Sequence, residues 1–124
     1  MIDGFVNANH EAVLPLSLRG PEGQTRKVNA VIDTGYSGSL TLPPALVAEL
    51  GLPYAFSSRA TLADDTEVGF RVHRVTVLWD SKSLHTEADA VGSTPLVGMA
   101  LLDTHSLYME ITNGGRVVIQ PIGL

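Results

Sequence analysis

The feature that most limits the fold is a rhythm of short apolar runs, cut by turn residues from one end of the chain to the other. Val68, Phe70 and Val72 alternate with Gly69, Arg71 and His73, and Val75, Val77 and Trp79 continue at period two. Successive strand residues point to opposite faces, so this pattern predicts a strand. Its phase slips by one residue at His73-Arg74, which predicts a bulge or bend there. Upstream, Val13-Leu14-Pro15-Leu16-Ser17-Leu18 and Arg26-Lys27-Val28-Asn29-Ala30-Val31-Ile32 are separated by Gly20-Pro21-Glu22-Gly23, the chemistry of a hairpin turn. Downstream, Leu107-Tyr108-Met109-Glu110-Ile111 and Arg116-Val117-Val118-Ile119 flank Asn113-Gly114-Gly115, a second hairpin. Short strands are also expected over residues 1–7, at Leu40-Thr41-Leu42, from Arg59 to a turn at Ala63-Asp64-Asp65-Thr66, and over residues 84–91.

Two short helices interrupt the pattern. Pro44 suits a first helical turn, Leu46, Val47 and Leu50 recur at helical spacing, and Gly51 stops the helix. Met99-Ala100-Leu101-Leu102 is the second. The expectation is one all-β domain over residues 1–124, a closed barrel with one or two short helices and no linker. Gly 12 and Pro 7 agree with a turn-rich chain, and 44% hydrophobic against 17% charged residues provides a core. Cys 0 excludes disulfides, thiol catalysis and Cys-based metal sites. A net charge of −5 disfavours general attraction to nucleic acid or an anionic membrane. The start, Met1-Ile2-Asp3-Gly4-Phe5, lacks the pattern of a secretory signal, and no run suits a bilayer span, so a cytoplasmic protein is expected.

Val31-Ile32-Asp33-Thr34-Gly35 carries the chemistry. A carboxylate that ends a buried strand is costly unless it is hydrogen-bonded, paired or functional. The glycine permits a sharp turn and a close approach by another backbone. The hydroxyl of Thr34 can donate and accept, and so brace a loop. By itself the triplet also fits an Asx turn that merely closes a strand. Ser37-Gly38-Ser39 and the strand Leu40-Thr41-Leu42 follow it, and Leu96-Val97-Gly98 precedes the second helix.

In the order and spacing of these elements, over roughly residues 10–122, the chain resembles the retropepsin-like aspartic proteases, the single-lobe relatives of pepsin. The resemblance implies a pepsin-like closed β-barrel and an aspartic endopeptidase. Asp33 would be catalytic, Thr34 would brace the partner loop and Gly35 would face the substrate. Tyr36, Leu96 and Val97 would lie in the substrate site, together with Ala63, Asp64 and Asp65 at the tip of a covering hairpin, the flap, over residues 59–72. Gly98 would pack behind the catalytic loop, and residues 117–122 would form a terminal strand near a dimer axis. Retroviral members often have Ala after the motif and an Asp–Arg ion pair behind it. Here Tyr36, Ser37 and Met99 stand at those positions, so both ionic partners are missing together.

The reaction needs two facing carboxyls that share a proton: one activates water and the other protonates the carbonyl. The chain has one such motif, since Asp103-Thr104-His105 lacks the glycine. At 124 residues it is also too short for two lobes, so a homodimer acting on peptide or protein substrates is implied, without cofactor or metal. His10, His73, His85 and His105 have no zinc spacing, and Asp64, Asp65 and Glu67 read as a solvated turn. Ser37 and Ser39 lack a nucleophile-elbow context, and no helix follows Gly114-Gly115 to bind phosphate. Trp79 reads as packing, and Tyr36 suits pocket lining and packing equally. Two alternatives remain: a non-catalytic dimer of the same fold that binds peptides, and an unrelated small β-barrel interaction domain in which Asp33 caps a turn.

Overall fold

The first hairpin joins β2 (Ala12–Arg19) to β3 (Thr25–Ile32) in unbroken antiparallel register from Val13↔Val31 to Arg19↔Thr25. In this computed structural model, which describes residues 1–123, Gly20 and Gly23 close the turn, and Gly23 takes φ 84°, a conformation glycine adopts at little cost. Leu14, Leu16 and Leu18 point inward while Pro15, Ser17 and Arg19 point away. Pro15, which has no N–H to donate, falls where the outer neighbour of β2 changes. Residues Ala12 and Val13 pair with β1 (Ile2–Val6), and Ser17 to Arg19 pair with β6 (Glu67–Trp79).

That second pairing closes a barrel. Six strands run in the cycle β2, β3, β8 (Leu96–Val97), β4 (Leu40–Leu42), β7 (Lys82–Ala90), β6 and back to β2. The architecture is all-β with two short helices, as the turn spacing predicts. The interior holds Leu14, Leu18, Leu40, Leu42, Val77 and Val97, each at most 1% exposed. Burying one such side chain contributes roughly 1.5–3 kcal/mol. Helix α1 (Pro44–Glu49) adds Leu46 and Val47 to the core. Pro44 starts it, and Gly51 at φ 60° ends it in a Schellman turn, with Leu52 N donating to Val47 O and Gly51 N to Ala48 O. Helix α2 (Met99–Leu102) buries Leu101 and Leu102. No helix among the described residues is long and apolar enough to cross a membrane.

Two extensions leave the barrel. β10 (Arg116–Pro121) lies between β1 and β9 (His105–Met109), so its ladder positions are taken up within the chain and β9 forms the open edge. Ile111, expected in the β9 strand, lies beyond it and is exposed, because the loop tightens at Gly114 and Gly115. On the other side β5 (Tyr54–Thr61) pairs with the first half of β6 as a projecting hairpin.

Two expectations need correction here. The strand expected from Arg59 begins at Tyr54, and its early residues are mostly exposed, which removed the alternation that would have revealed it. β6 also has no slip at His73-Arg74: its pairing with β7 runs unbroken from Arg71↔Ala90 to Trp79↔Lys82. The irregularity sits on β5, between Tyr54 and Phe56. One regular strand serves two apolar surfaces. Val75, Val77 and Trp79 face the barrel core, while Val68 and Phe70 use the other face, which lines a cleft under the hairpin.

Candidate active site

β3 ends at Ile32 and delivers Asp33 to a loop that returns as β4, with β8 threaded between the two arms. β8 runs parallel to β3, with Val31↔Leu96 and Ile32↔Val97, and antiparallel to β4, with Leu40↔Val97 and Thr41↔Leu96. Asp33 N donates to Val97 O at 2.9 Å, which anchors the carboxylate to the barrel. Its Oδ1 accepts the Gly35 N–H at 3.0 Å, an Asx turn that fixes one oxygen. No other side-chain hydrogen bond reaches this half-buried carboxyl within the described chain, so its second oxygen is unoccupied by protein donors. Thr34 and Gly35 are exposed beside it.

Helix α2 holds the loop from behind. Gly98 N donates to Ser39 O, Met99 N to Tyr36 O and Ala100 N to Gly38 O, at 3.0, 2.8 and 3.1 Å. These backbone bonds tie the loop where the Asp–Arg pair is missing, and Ser37 and Met99 are simply exposed. Gly98 has no room for a side chain: a Cβ would lie 2.1 Å from Gly38 O and 2.5 Å from Tyr36 Cδ2. Its φ of −102° is open to any residue, so the requirement for glycine is steric. Gly38 is similar, since a Cβ there would lie 2.6 Å from Tyr36 Cζ. Two glycines therefore make the space that the Tyr36 ring occupies.

Tyr36 both packs and lines the cleft. Its hydroxyl lies 2.5 Å from Asp89 Oδ2, to which it donates, and 3.1 Å from Leu40 O. Burial, then the Asp89 carboxylate, push its ionisation well above the ordinary tyrosine range, so the hydroxyl keeps its proton. Tyr36→Phe would leave Asp89 without this donor, and we expect a loss of about 1–2 kcal/mol, measured by urea denaturation against wild type.

The cleft beside this loop has a volume of about 660 Å³ and is walled by the β5–β6 hairpin. Of the expected site residues, Tyr36 and Leu96 line it, and Asp33 lies three positions before Tyr36 on the same loop, outside the lining. Val97 points into the barrel core and is 0% exposed. Ala63, Asp64 and Asp65 sit on the hairpin turn, away from the lining, with Asp65 at φ 65°. Thr66 bonds to Asp64 and holds that exposed carboxyl below its usual range, so the turn stays charged. Arg59, Leu62, Val68 and Phe70 line it from the hairpin expected over residues 59–72, and Asp89 is a lining residue that the sequence did not single out. An aspartate between Ala88 and Ala90 in a weakly alternating strand was the available signal for Asp89. No group of His, Asp or Glu among the described residues is placed to hold a metal ion.

No protein-family model matches the chain, and no curated protein matches it. Among solved structures it is similar to a retropepsin-like aspartic protease from Rickettsia conorii, with 15% identity over 95% of this chain and 89% of that one and a TM-score of 0.54. At that identity the likeness is one of fold, and the chain has the pepsin-like, single-lobe closed barrel.

Proposed function

We propose that this chain is one half of an aspartic endopeptidase, completed by a second copy. The observation that carries the reading is Asp33, set at the end of β3 with one oxygen fixed by Gly35 and the loop backed by Gly98, within a retropepsin-like barrel. A two-fold axis would bring two Asp33 carboxyls together, which the chain alone cannot do because it carries one Asp-Thr-Gly. Two carboxylates so close cannot both stay charged, so the pair would hold one proton between them, as aspartic proteases do as a class. The ionised carboxyl would take a proton from water as it attacks the peptide carbonyl, and the protonated one would donate to the carbonyl oxygen. Thr34 would brace the partner's loop across the axis. The β5–β6 hairpin would act as the flap, and the adjoining cleft would receive a substrate side chain.

This reading predicts that cleavage of a mixed peptide library rises with the square of protein concentration where dimers are scarce, and linearly once dimers dominate. Sedimentation over the same range should place the crossover at the dimerisation constant. Strictly first-order activity from a sedimenting monomer would defeat the dimer. Peptide binding without turnover would instead favour the non-catalytic dimer of this fold.

A further inference from the structure

Among the described residues no cation forms an ion pair with Asp89, a carboxylate that lines the cleft. Asp89 lies on β7 directly opposite Val72, on the β6 face that presents Val68 and Phe70 to the cleft. Its Oδ2 takes the Tyr36 hydroxyl, and no other donor among the described residues reaches the carboxylate. No buried side-chain oxygen there lacks a partner, so the unbonded Oδ1 of this half-buried residue is open to solvent, on a residue that lines the cleft. The other charged lining residue is Arg59, an exposed side chain whose guanidinium pairs with Glu67 at 3.0 Å and makes no hydrogen bond to Asp89. Around Asp89 the walls include Leu62, Val68, Phe70, Val91 and Leu96.

An apolar slot with one free carboxylate oxygen fits a side chain with an apolar stem and a cationic tip. A purely apolar guest would strip water from Asp89 and return no hydrogen bond, and an acidic guest would be repelled. We propose that this cleft recognises a lysine or arginine of a bound peptide. Asp89 is the specificity-determining carboxylate, and Tyr36 is the positioning residue that fixes one of its oxygens and leaves the other presented. The proposal rests on reading the cleft as the substrate pocket of the proposed peptidase. The net charge of −5 adds a long-range attraction for basic peptides.

The test uses Asp33→Asn protein, so that binding is read without turnover, and fluorescent peptides varied position by position among lysine, arginine, norleucine and glutamate. At one peptide position lysine and arginine should bind on the order of tenfold tighter than norleucine, as one charge-assisted hydrogen bond provides. Adding Asp89→Asn should erase that preference, Asp89→Glu should restore part of it, and Tyr36→Phe should weaken it. Thermal melts of each variant show whether the fold is retained. Equal binding of lysine and norleucine peptides, a preference that survives Asp89→Asn, or no binding by any peptide would each overturn the proposal. Parallel cleavage assays with native Asp33 separate the two readings. Cleavage with no Asp89-dependent preference defeats the pocket assignment alone, and an Asp89-dependent preference without cleavage defeats the peptidase alone.

Discussion

Asp33→Asn is expected to abolish peptide hydrolysis, lowering kcat/KM on the order of 10³-fold or more, while stability stays near wild type. Asparagine has the same shape, and its amide oxygen can still accept the Gly35 N–H that Asp33 Oδ1 takes at 3.0 Å. The Asx turn and the loop therefore persist. What is lost is a group that can hold and pass a proton. Because the proposed site takes one carboxyl from each copy, the variant should also poison wild type. An excess of Asp33→Asn mixed into a fixed amount of wild type should drive activity below that of wild type alone, as mixed dimers form with one carboxyl each. Equal cleavage by the two proteins on a peptide library would refute a catalytic Asp33. Undiminished activity in the mixture would refute a shared site.

Gly98→Ala should cost about 3 kcal/mol of stability. The added methyl would meet the carbonyl oxygen of Gly38 at 2.1 Å and that of Tyr36 at 2.8 Å. Both are backbone atoms of the loop that carries Asp33, and a backbone cannot swing aside as a long side chain can. Relief requires α2 to retreat from the loop, which stretches the bonds from Gly98, Met99 and Ala100 to Ser39, Tyr36 and Gly38. Activity should fall with stability, since those bonds hold the loop that carries Asp33. Gly123→Ala is the control: a Cβ there meets nothing, and no change is expected. Urea unfolding of both variants checks the prediction, and a Gly98→Ala loss below about 0.5 kcal/mol would show that the packing is looser than these distances indicate.

Much of the fold was legible because it is local. The turn at Gly20 to Gly23, the Pro44 start and Gly51 stop of α1, and the closing hairpin each depend on residues within a few positions of one another. The Asp33 loop was legible for the same reason, and the resemblance set Gly98 behind it, although the steric need for glycine there came from the packing. Where the reading failed, neighbours distant in sequence had decided the outcome. The apparent slip in β6 is one strand feeding two surfaces, the core through Val75 and Val77 and the cleft through Val68 and Phe70. Periodicity reports that a face is buried and not what buries it. Early β5 escaped notice because a projecting hairpin buries little of either face.

The sequence by itself determined the succession of strands and turns, the two short helices, and a carboxylate ending a buried strand beside a glycine. Each follows from backbone preferences and from the cost of burying charge, which act over a few residues. Only the tertiary structure decided that β6 returns to β2 to close the barrel. Only it decided that Tyr36 reaches Asp89, 53 positions away, and that the cleft beside Asp33 keeps a free carboxylate oxygen. Those outcomes depend on which strands become neighbours, and long-range pairing is set by the packing of the whole core rather than by any one segment.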